Sequence, residues 1–254
     1  MRAFLRSGAL LPKDVFVASR SQAKLDAILV DSPGIHVVNS AKLAAECSMI
    51  FVCVGAADLA AVFREIDQEL SSEQLLIITN STVPLKALEE RVPCGTVKLI
   101  PSIAQEVDAG IALLMYGSRV DREDRILLEE LLSHISRPIV IPESMARPVI
   151  GLTSGGPALI AYVLQMMADE AVRNNPDISP ELARKLVEET ATATMKLIAE
   201  ANMPLDKIIR RVAVPGGMTE FSIEILSRYI PQAWQTLFQE TAEREKKARE
   251  SLAL

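Results

Sequence analysis

The sequence has few cysteines, few aromatic residues and no excess of positive charge. Its three cysteines show neither a Cys-x-x-Cys pair nor a metal-like spacing with His36 or His134. Their odd number, with no signal-peptide pattern at the start, favours a reducing cytoplasm. The formal net charge of -6 argues against nucleic acid as a partner, because phosphate binding needs clustered Lys and Arg. No apolar run reaches the length of a membrane span, so no membrane partner is predicted either.

Apolar residues dominate what is present. Hydrophobic residues make up 49% of the chain but aromatics only 4%, so the core is expected to be aliphatic. The mean hydropathy of +0.23 is high and favours burial between subunits as well as inside one. Cys53 lies in the apolar run over residues 49–54 and is expected to be a small core residue.

The first 142 residues alternate short apolar runs with helical patterns. Strands are predicted at residues 14–18, 35–38, 49–54, 75–79, 96–100, 111–116 and 138–141, and helices at 21–30, 40–47, 58–70, 84–91 and 122–135. Alternation with short connections predicts a parallel sheet covered by helices on both faces. We therefore expect residues 1–142 to form an α/β, doubly wound, Rossmann-like domain that binds a dinucleotide.

After Pro142 the strand patterns end, and residues 143–254 are expected to form an all-helical domain. Helices are predicted at residues 156–172, 179–201, 204–211, 218–228 and 231–253. The first of these is apolar nearly all round, which predicts burial on every side, within one chain or between two.

Two glycine-rich helix starts stand out in this helical domain. The 153–156 turn consists of Thr153, Ser154, Gly155 and Gly156, and the 216–219 turn of Gly216, Gly217, Met218 and Thr219. Free N–H groups at a helix start favour a carboxylate or phosphate, and glycine lets it approach closely. A single Gly-Gly pair is as readily a simple turn. Two of them beside a nucleotide-type domain favour a small-molecule site, in which the Thr219 hydroxyl would hydrogen-bond or protonate a neighbouring atom.

The loop after the first predicted strand indicates the cofactor. It reads Ala18-Ser19-Arg20-Ser21 and contains no acidic residue. In dinucleotide-binding folds an acid near this place holds the ribose of NAD, whereas an arginine accommodates the 2′-phosphate of NADP. The loop therefore favours NADP, with NAD as the alternative.

Three segments carry a resemblance to a known family: VPCGTVKLIPSI at residues 92–103, TSGGPALIAYVLQ at 153–165 and VPGGMTEFSIEIL at 214–226. Together they resemble the pyrroline-5-carboxylate reductase family, over essentially the whole chain, and most of all its late-competence ComER branch. The resemblance implies an NADP-binding Rossmann domain and a helical domain that forms a homodimer or a higher oligomer. It also implies the NADPH-dependent reduction of a cyclic imine carboxylate, as in proline biosynthesis.

The resemblance assigns roles to individual residues. Thr219 would be catalytic, touching the imine nitrogen, while Thr153, Ser154, Gly155, Gly156, Gly216 and Gly217 would bind the substrate. Ser19, Arg20, Val54, Gly55, Pro101 and Ser102 would line the cofactor. Ser102 and Ile103 replace polar residues that the family has beside the nicotinamide.

The family's opening strand and its Gly-x-Gly-x-x-Gly-like loop have no counterpart, because the sequence begins within the helix that follows them. We expect a start codon assigned too far downstream, with a truncated protein as the alternative. Two other functions remain open: a weak or inactive reductase homologue with a regulatory role in late competence or development, and an inactive dimeric scaffold.

Overall fold

The computed structural model describes residues 1–250, and the chain divides into two compact units. Unit 1 is Met1–Gly155 together with the chain from Ala242 onward, and unit 2 is Gly156–Thr241. The described strands are β1 (Phe16–Val17), β2 (His36–Val37), β3 (Met49–Val52), β4 (Leu75–Ile78), β5 (Gly95–Ile100), β6 (Ile111–Tyr116) and β7 (Arg137–Val140). The described α-helices are α1 (Arg2–Arg6), α2 (Gln22–Asp31), α3 (Ser40–Glu46), α4 (Ala56–Ile66), α5 (Leu85–Arg91), α6 (Arg122–Ser133), α7 (Ala146–Leu152), α8 (Gly156–Asn174), α9 (Pro180–Ala199), α10 (Leu205–Val212) and α11 (Met218–Glu250).

Unit 1 contains a five-stranded sheet in the order β3-β4-β5-β6-β7 and a separate pair, β1-β2. β3, β4 and β5 run parallel, but β6 is antiparallel to β5, so the expected all-parallel sheet is wrong at this position. The connection over residues 101–110 holds only the 3₁₀ turn Ile103–Val107, and a parallel crossover needs a longer segment. Within the described residues β1 and β3 are not paired.

The core of unit 1 lies on both faces of this sheet. Leu75 and Ile77 of β4 point into one apolar cluster, whereas Leu76 and Ile78 point into the other, as the alternation of a strand requires. All four are almost completely buried. The predicted α/β architecture with helices on both faces is confirmed.

Cys53 corrects an expectation from the sequence. β3 ends at Val52, and the alternation that turns Ile50 and Val52 inward leaves Cys53 exposed. The prediction that Cys53 is a core residue is therefore wrong.

Unit 2 is helical, and α8 packs against α9. The Ser179 hydroxyl accepts a hydrogen bond from the Leu182 amide at 3.1 Å, and Pro180 follows it at the first helical position, so α9 begins where the sequence predicts. On α8 only Gly156 and Ala168 are buried. The predicted burial of this helix on every side is not achieved within one chain.

The last two predicted helices form one helix, α11, with Pro231 inside it. Proline removes one backbone donor, but Pro231 is exposed, so water can satisfy the carbonyl group left free one turn earlier. The prediction of a break between residues 228 and 231 is therefore wrong. The predicted end of the helix at residues 251–253 lies outside the described residues.

One further expectation needs correction. The stretch Glu143–Asn174, which includes α7 and α8, is long and apolar enough to cross a membrane by length and composition, with a mean hydropathy of 1.4 over its most apolar window. Only 11% of that window is buried inside the chain. The expectation that no segment reaches such a length is therefore wrong.

Candidate cofactor and substrate sites

The predicted 2′-phosphate residues lie in the loop between β1 and α2. The Ser21 amide donates to the Ser19 hydroxyl at 3.2 Å, and the Arg20 guanidinium lies 2.7 Å from Oδ1 of Asp58. Ser21 precedes α2 without capping it through its side chain, and the first turn of α2 has no acidic residue. The helix start therefore presents unpaired amides beside a positive charge, which suits an anion.

Val54 and Gly55 follow β3 at the start of α4. Gly55 is the N-cap residue of α4, and a Cβ atom there would meet no described atom within 4 Å. Asp58 lies in the first turn of the same helix, so its ion pair with Arg20 brings the ends of β1 and β3 together. The structure thus unites Ser19, Arg20 and Gly55 in one region.

Pro101 and Ser102 follow β5. The Ser102 hydroxyl accepts from the Ala104 amide at 3.3 Å and caps the 3₁₀ turn, and the residue is only 7% exposed. Ser102 therefore stabilises the loop after β5 through an internal contact, and Pro101 is the more accessible of the two.

Lys98 of β5 is completely buried and forms an ion pair with the partly exposed Glu143. The Lys98 ammonium on β5 is 2.7 Å from Oε1 of Glu143 and donates to the Ser81 carbonyl at 2.9 Å. Oε1 of Glu143 also accepts from the Leu85 amide at the start of α5, at 3.1 Å. Burial lowers the pKa of Lys98, and the hydrogen bond with Glu143 opposes that shift. The pair ties β5 to the loop after β4 and to the 3₁₀ turn Glu143–Met145.

The 153–156 turn joins α7 to α8, and part of it is already engaged. The Thr153 hydroxyl donates to the Val149 carbonyl at 2.8 Å, and the Gly155 amide donates to the Ile150 carbonyl at 3.0 Å. Throughout residues 1–250 the amides of Ser154 and Gly156 have no such partner. They are the donors that this turn retains for a ligand.

The 216–219 turn begins α11. Gly216 has a φ of 74°, a left-handed conformation that favours glycine, and its amide donates to Oε2 of Glu220 at 2.7 Å. The Gly217 amide donates to the Val214 carbonyl at 2.9 Å. Both glycine amides are thus occupied within the chain. Thr219 is exposed, and its hydroxyl makes no hydrogen bond to any described residue.

Four residues near these sites were not predicted from the sequence: Asp58, Lys98, Glu143 and Glu220. For two of them, Lys98 and Glu220, the sequence contains a pattern that could have identified them. Lys98 is a lone charge inside the apolar run VKLI, and Glu220 follows Gly216 by one helical turn. Asp58 and Glu143 act on residues far away in sequence, so only the fold connects them with Arg20 and Lys98.

Two known protein families match this chain, one in its C-terminal part and one in its N-terminal part. Residues 143–248 match the model of pyrroline-5-carboxylate reductase dimerisation. The family resemblance predicted from the sequence is confirmed. Residues 1–81 match the model described as NADP oxidoreductase, coenzyme F420-dependent.

Two curated relatives from Bacillus subtilis are similar over most of the chain. ComE operon protein 4 is 29% identical over 242 residues, which span 95% of this chain and 88% of that protein. Pyrroline-5-carboxylate reductase 3 is 27% identical and spans 94% and 88%. Both kinds of relative that the motifs indicate, the late-competence branch and the reductases, are therefore found.

Solved structures share the fold. A pyrroline carboxylate reductase from Plasmodium falciparum with NADP bound has a TM-score of 0.82 at 18% identity, covering 99% of this chain and 92% of that one. A pyrroline-5-carboxylate reductase from Coxiella burnetii also has a TM-score of 0.82, at 22% identity, covering 100% and 93%. At this level of identity the likeness establishes the two-part architecture, a Rossmann-like domain followed by a helical one.

Proposed function

We propose that this chain is an NADPH-dependent reductase of pyrroline-5-carboxylate or a closely related cyclic imine carboxylate. The observation that carries the proposal is the unpartnered Thr219 hydroxyl at the glycine-rich start of α11. The relatives named as reductases favour this activity over a purely regulatory role.

The residues of unit 1 fit the 2′-phosphate of NADP. Arg20, the Ser19 hydroxyl and the uncapped start of α2 supply a positive charge and hydrogen-bond donors in one loop. The open space beside Gly55 leaves room for a ligand against the start of α4. We propose that residues 1–142 form the nucleotide-binding domain and residues 143–254 the substrate and dimerisation domain.

The proposed substrate residues divide into two roles. The amides of Ser154 and Gly156 are available for the substrate carboxylate at the start of α8. At the start of α11 the Gly216 amide becomes available once Glu220 has moved aside, whereas Gly217 supplies the close approach of a glycine. The Thr219 hydroxyl donates a hydrogen bond to the imine nitrogen, which becomes more basic as the adjacent carbon is reduced. When bound, the nicotinamide would supply the hydride, and the protein supplies orientation.

We further propose that a second copy of this chain covers the apolar surface of unit 2. An open groove of about 440 Å³ between α8 and α9 is lined by Ile160, Leu164, Ala191 and Met195, among others. Ile160, Val163 and Met167 of α8 are more than half exposed in the single chain. The match to a dimerisation family favours a protein partner for this surface over a membrane.

The activity is tested by the loss of NADPH absorbance with pyrroline-5-carboxylate, comparing wild type with Thr219→Ala and Thr219→Ser. Thr219→Ala should lower kcat about 100-fold, the size of a typical contribution from a positioned proton donor, and leave NADPH affinity unchanged. Thr219→Ser retains the hydroxyl and should recover most of kcat.

Ser222→Ala is the matched control, because Ser222 lies on the next turn of α11 and its hydroxyl is bound to the Met218 carbonyl at 2.8 Å. It should leave turnover unchanged. Absence of both turnover and NADPH binding in the wild type would refute the proposed function.

A further inference from the structure

The ion pair between Arg20 and Asp58 connects two elements that approach the proposed cofactor from different strands. Arg20 follows β1, whereas Asp58 lies in the first turn of the helix that follows β3. The guanidinium and the carboxylate are 2.7 Å apart, and their side chains are 71% and 41% exposed. This is a surface pair, which contributes little to stability and exchanges partners readily.

The surroundings of Arg20 are otherwise suited to an anion. Ser19 and Ser21 flank it with hydroxyl groups, and the first turn of α2 has no acidic residue. Across residues 1–250, Asp58 is the one carboxylate that pairs with the Arg20 guanidinium. Asp58 is therefore the carboxylate that directly opposes the charge of Arg20.

We propose that Asp58 is a specificity-determining residue, which competes with the 2′-phosphate of NADPH for Arg20 and so keeps the preference for NADPH over NADH small. This inference rests on the proposed cofactor. A phosphate monoester carries more than one negative charge and binds an arginine through two parallel hydrogen bonds, so it displaces the carboxylate from Arg20.

The displaced carboxylate remains on the first turn of α4, close to the incoming phosphate. Repulsion between these like charges lowers the affinity for NADPH. NADH has a neutral hydroxyl in place of the 2′-phosphate, so it meets no such repulsion and leaves the ion pair intact. Removal of the Asp58 charge should therefore strengthen NADPH binding selectively.

The test compares wild type with Asp58→Asn, which keeps the shape of the side chain and removes its charge. Dissociation constants for NADPH and NADH are measured by fluorescence titration, and those for adenosine 2′-monophosphate and adenosine by calorimetry. Asp58→Asn should tighten NADPH and adenosine 2′-monophosphate about two- to fivefold, the range of an exposed charge pair, and leave NADH and adenosine unchanged. The gain should shrink at high salt, because exposed charges are screened.

Asp31→Asn is the matched control. Asp31 ends α2 and is paired with Arg2 at 2.5 Å, and its side chain is 50% exposed. The substitution therefore removes a comparably exposed charge that is not paired with Arg20. It should alter neither nucleotide. In an Arg20→Ala background NADPH should bind more weakly than to the wild type. Because Asp58 then has no Arg20 to compete for, Asp58→Asn should tighten NADPH binding less than it does in the wild type.

The outcomes separate this inference from the proposed function. If the wild type binds NADPH but Asp58→Asn changes NADPH and NADH equally, or changes neither, the role of Asp58 is refuted and the reductase proposal stands. An undiminished gain in the Arg20→Ala background also refutes competition for Arg20. If the wild type binds neither nucleotide, both proposals fail together.

Discussion

Unit 1 buries most of its large apolar side chains within one chain, whereas unit 2 leaves most of its own exposed. In unit 1, Phe63, Leu59 and Leu88 have no exposed surface, and two clusters of such residues cover both faces of the sheet. In unit 2, Tyr162 and Phe221 are more than half exposed. Within the single chain, unit 1 therefore has a complete hydrophobic core, whereas unit 2 leaves apolar side chains in contact with solvent.

The difference accounts for the large apolar surface that the single chain leaves exposed. A contiguous apolar surface of this kind marks an interaction site in a folded protein. Because the exposed residues belong to the segment that matches a dimerisation family, the core of unit 2 is expected to be completed by a second copy.

The largest effect is expected from a pair of matched substitutions, Phe63→Ala in unit 1 and Phe221→Ala in unit 2. Phe63 is fully buried on α4, so its truncation should cost about 3–5 kcal/mol of unfolding free energy. Phe221 is 53% exposed in the single chain, and its truncation should weaken assembly instead. Urea unfolding at several protein concentrations measures both.

Protein concentration distinguishes the two cases. The shift caused by Phe63→Ala should be nearly the same at every concentration, whereas that of Phe221→Ala should depend on concentration, because it acts on association. A Phe221→Ala effect that is independent of concentration would contradict the proposed role of unit 2 as a subunit interface.

A second prediction concerns the buried pair that unit 1 holds and that has no equivalent among the described residues of unit 2. Glu143→Gln removes the negative charge that faces the buried Lys98 ammonium and leaves it neutral acceptors only, the glutamine amide oxygen and the Ser81 carbonyl. Loss of the charge that compensates a fully buried lysine should cost about 1–3 kcal/mol, measured by urea unfolding at neutral pH.

The pH dependence of this deficit has a defined sign. Burial holds the pKa of Lys98 below its unfolded value, and loss of Glu143 lowers it further. Between the folded and unfolded pKa values the unfolded chain binds more protons, so stability rises with pH in that window and the deficit shrinks. Glu90→Gln is the control: its carboxylate is 3.8 Å from Lys86 on the exposed side of α5, and the change should stay below about 0.5 kcal/mol. Equal effects of the two substitutions would show that Lys98 and Glu143 do not act as a buried pair.

Much of unit 1 could be predicted from local pattern. The run Leu75 to Ile78 is apolar without interruption, which predicts a strand buried on both faces, and β4 is such a strand. The apolar run of β6 has the same pattern in either direction, so its reversal could be predicted only from the short connection before it. Direction depends on the length of the preceding connection, and its single helical turn was not recognised.

Unit 2 was harder to predict for a different reason. The exposure of Pro231 decides whether α11 is interrupted, and exposure is a property of the tertiary structure. In the candidate site the sequence predicts the positions of Gly216 and Thr219. It does not predict that Glu220 would occupy the Gly216 amide, because that contact depends on a side-chain conformation.

The smallest expected effect on stability concerns Glu89, an exposed carboxylate of unit 1 that accepts two hydrogen bonds from Ser118. Glu89 on α5 accepts from the Ser118 amide at 2.5 Å and from the Ser118 hydroxyl at 2.7 Å, and these bonds lower the pKa of its carboxyl group. Ser118→Ala removes the hydroxyl, so the pKa of Glu89 should rise toward its ordinary value, as measured by NMR titration of the carboxyl carbon.

The stability change that accompanies this shift should be below about 1 kcal/mol, since the group is near the surface. Because the folded pKa of Glu89 is lowered, its contribution is present above the unfolded pKa and is lost as pH falls through the folded value. The deficit of Ser118→Ala should therefore be seen at neutral pH and vanish in acid. Ser118→Thr keeps the hydroxyl and should restore the low pKa; if it does not, the bond from the hydroxyl is not the cause of the shift, and unit 1 fixes Glu89 through the amide alone.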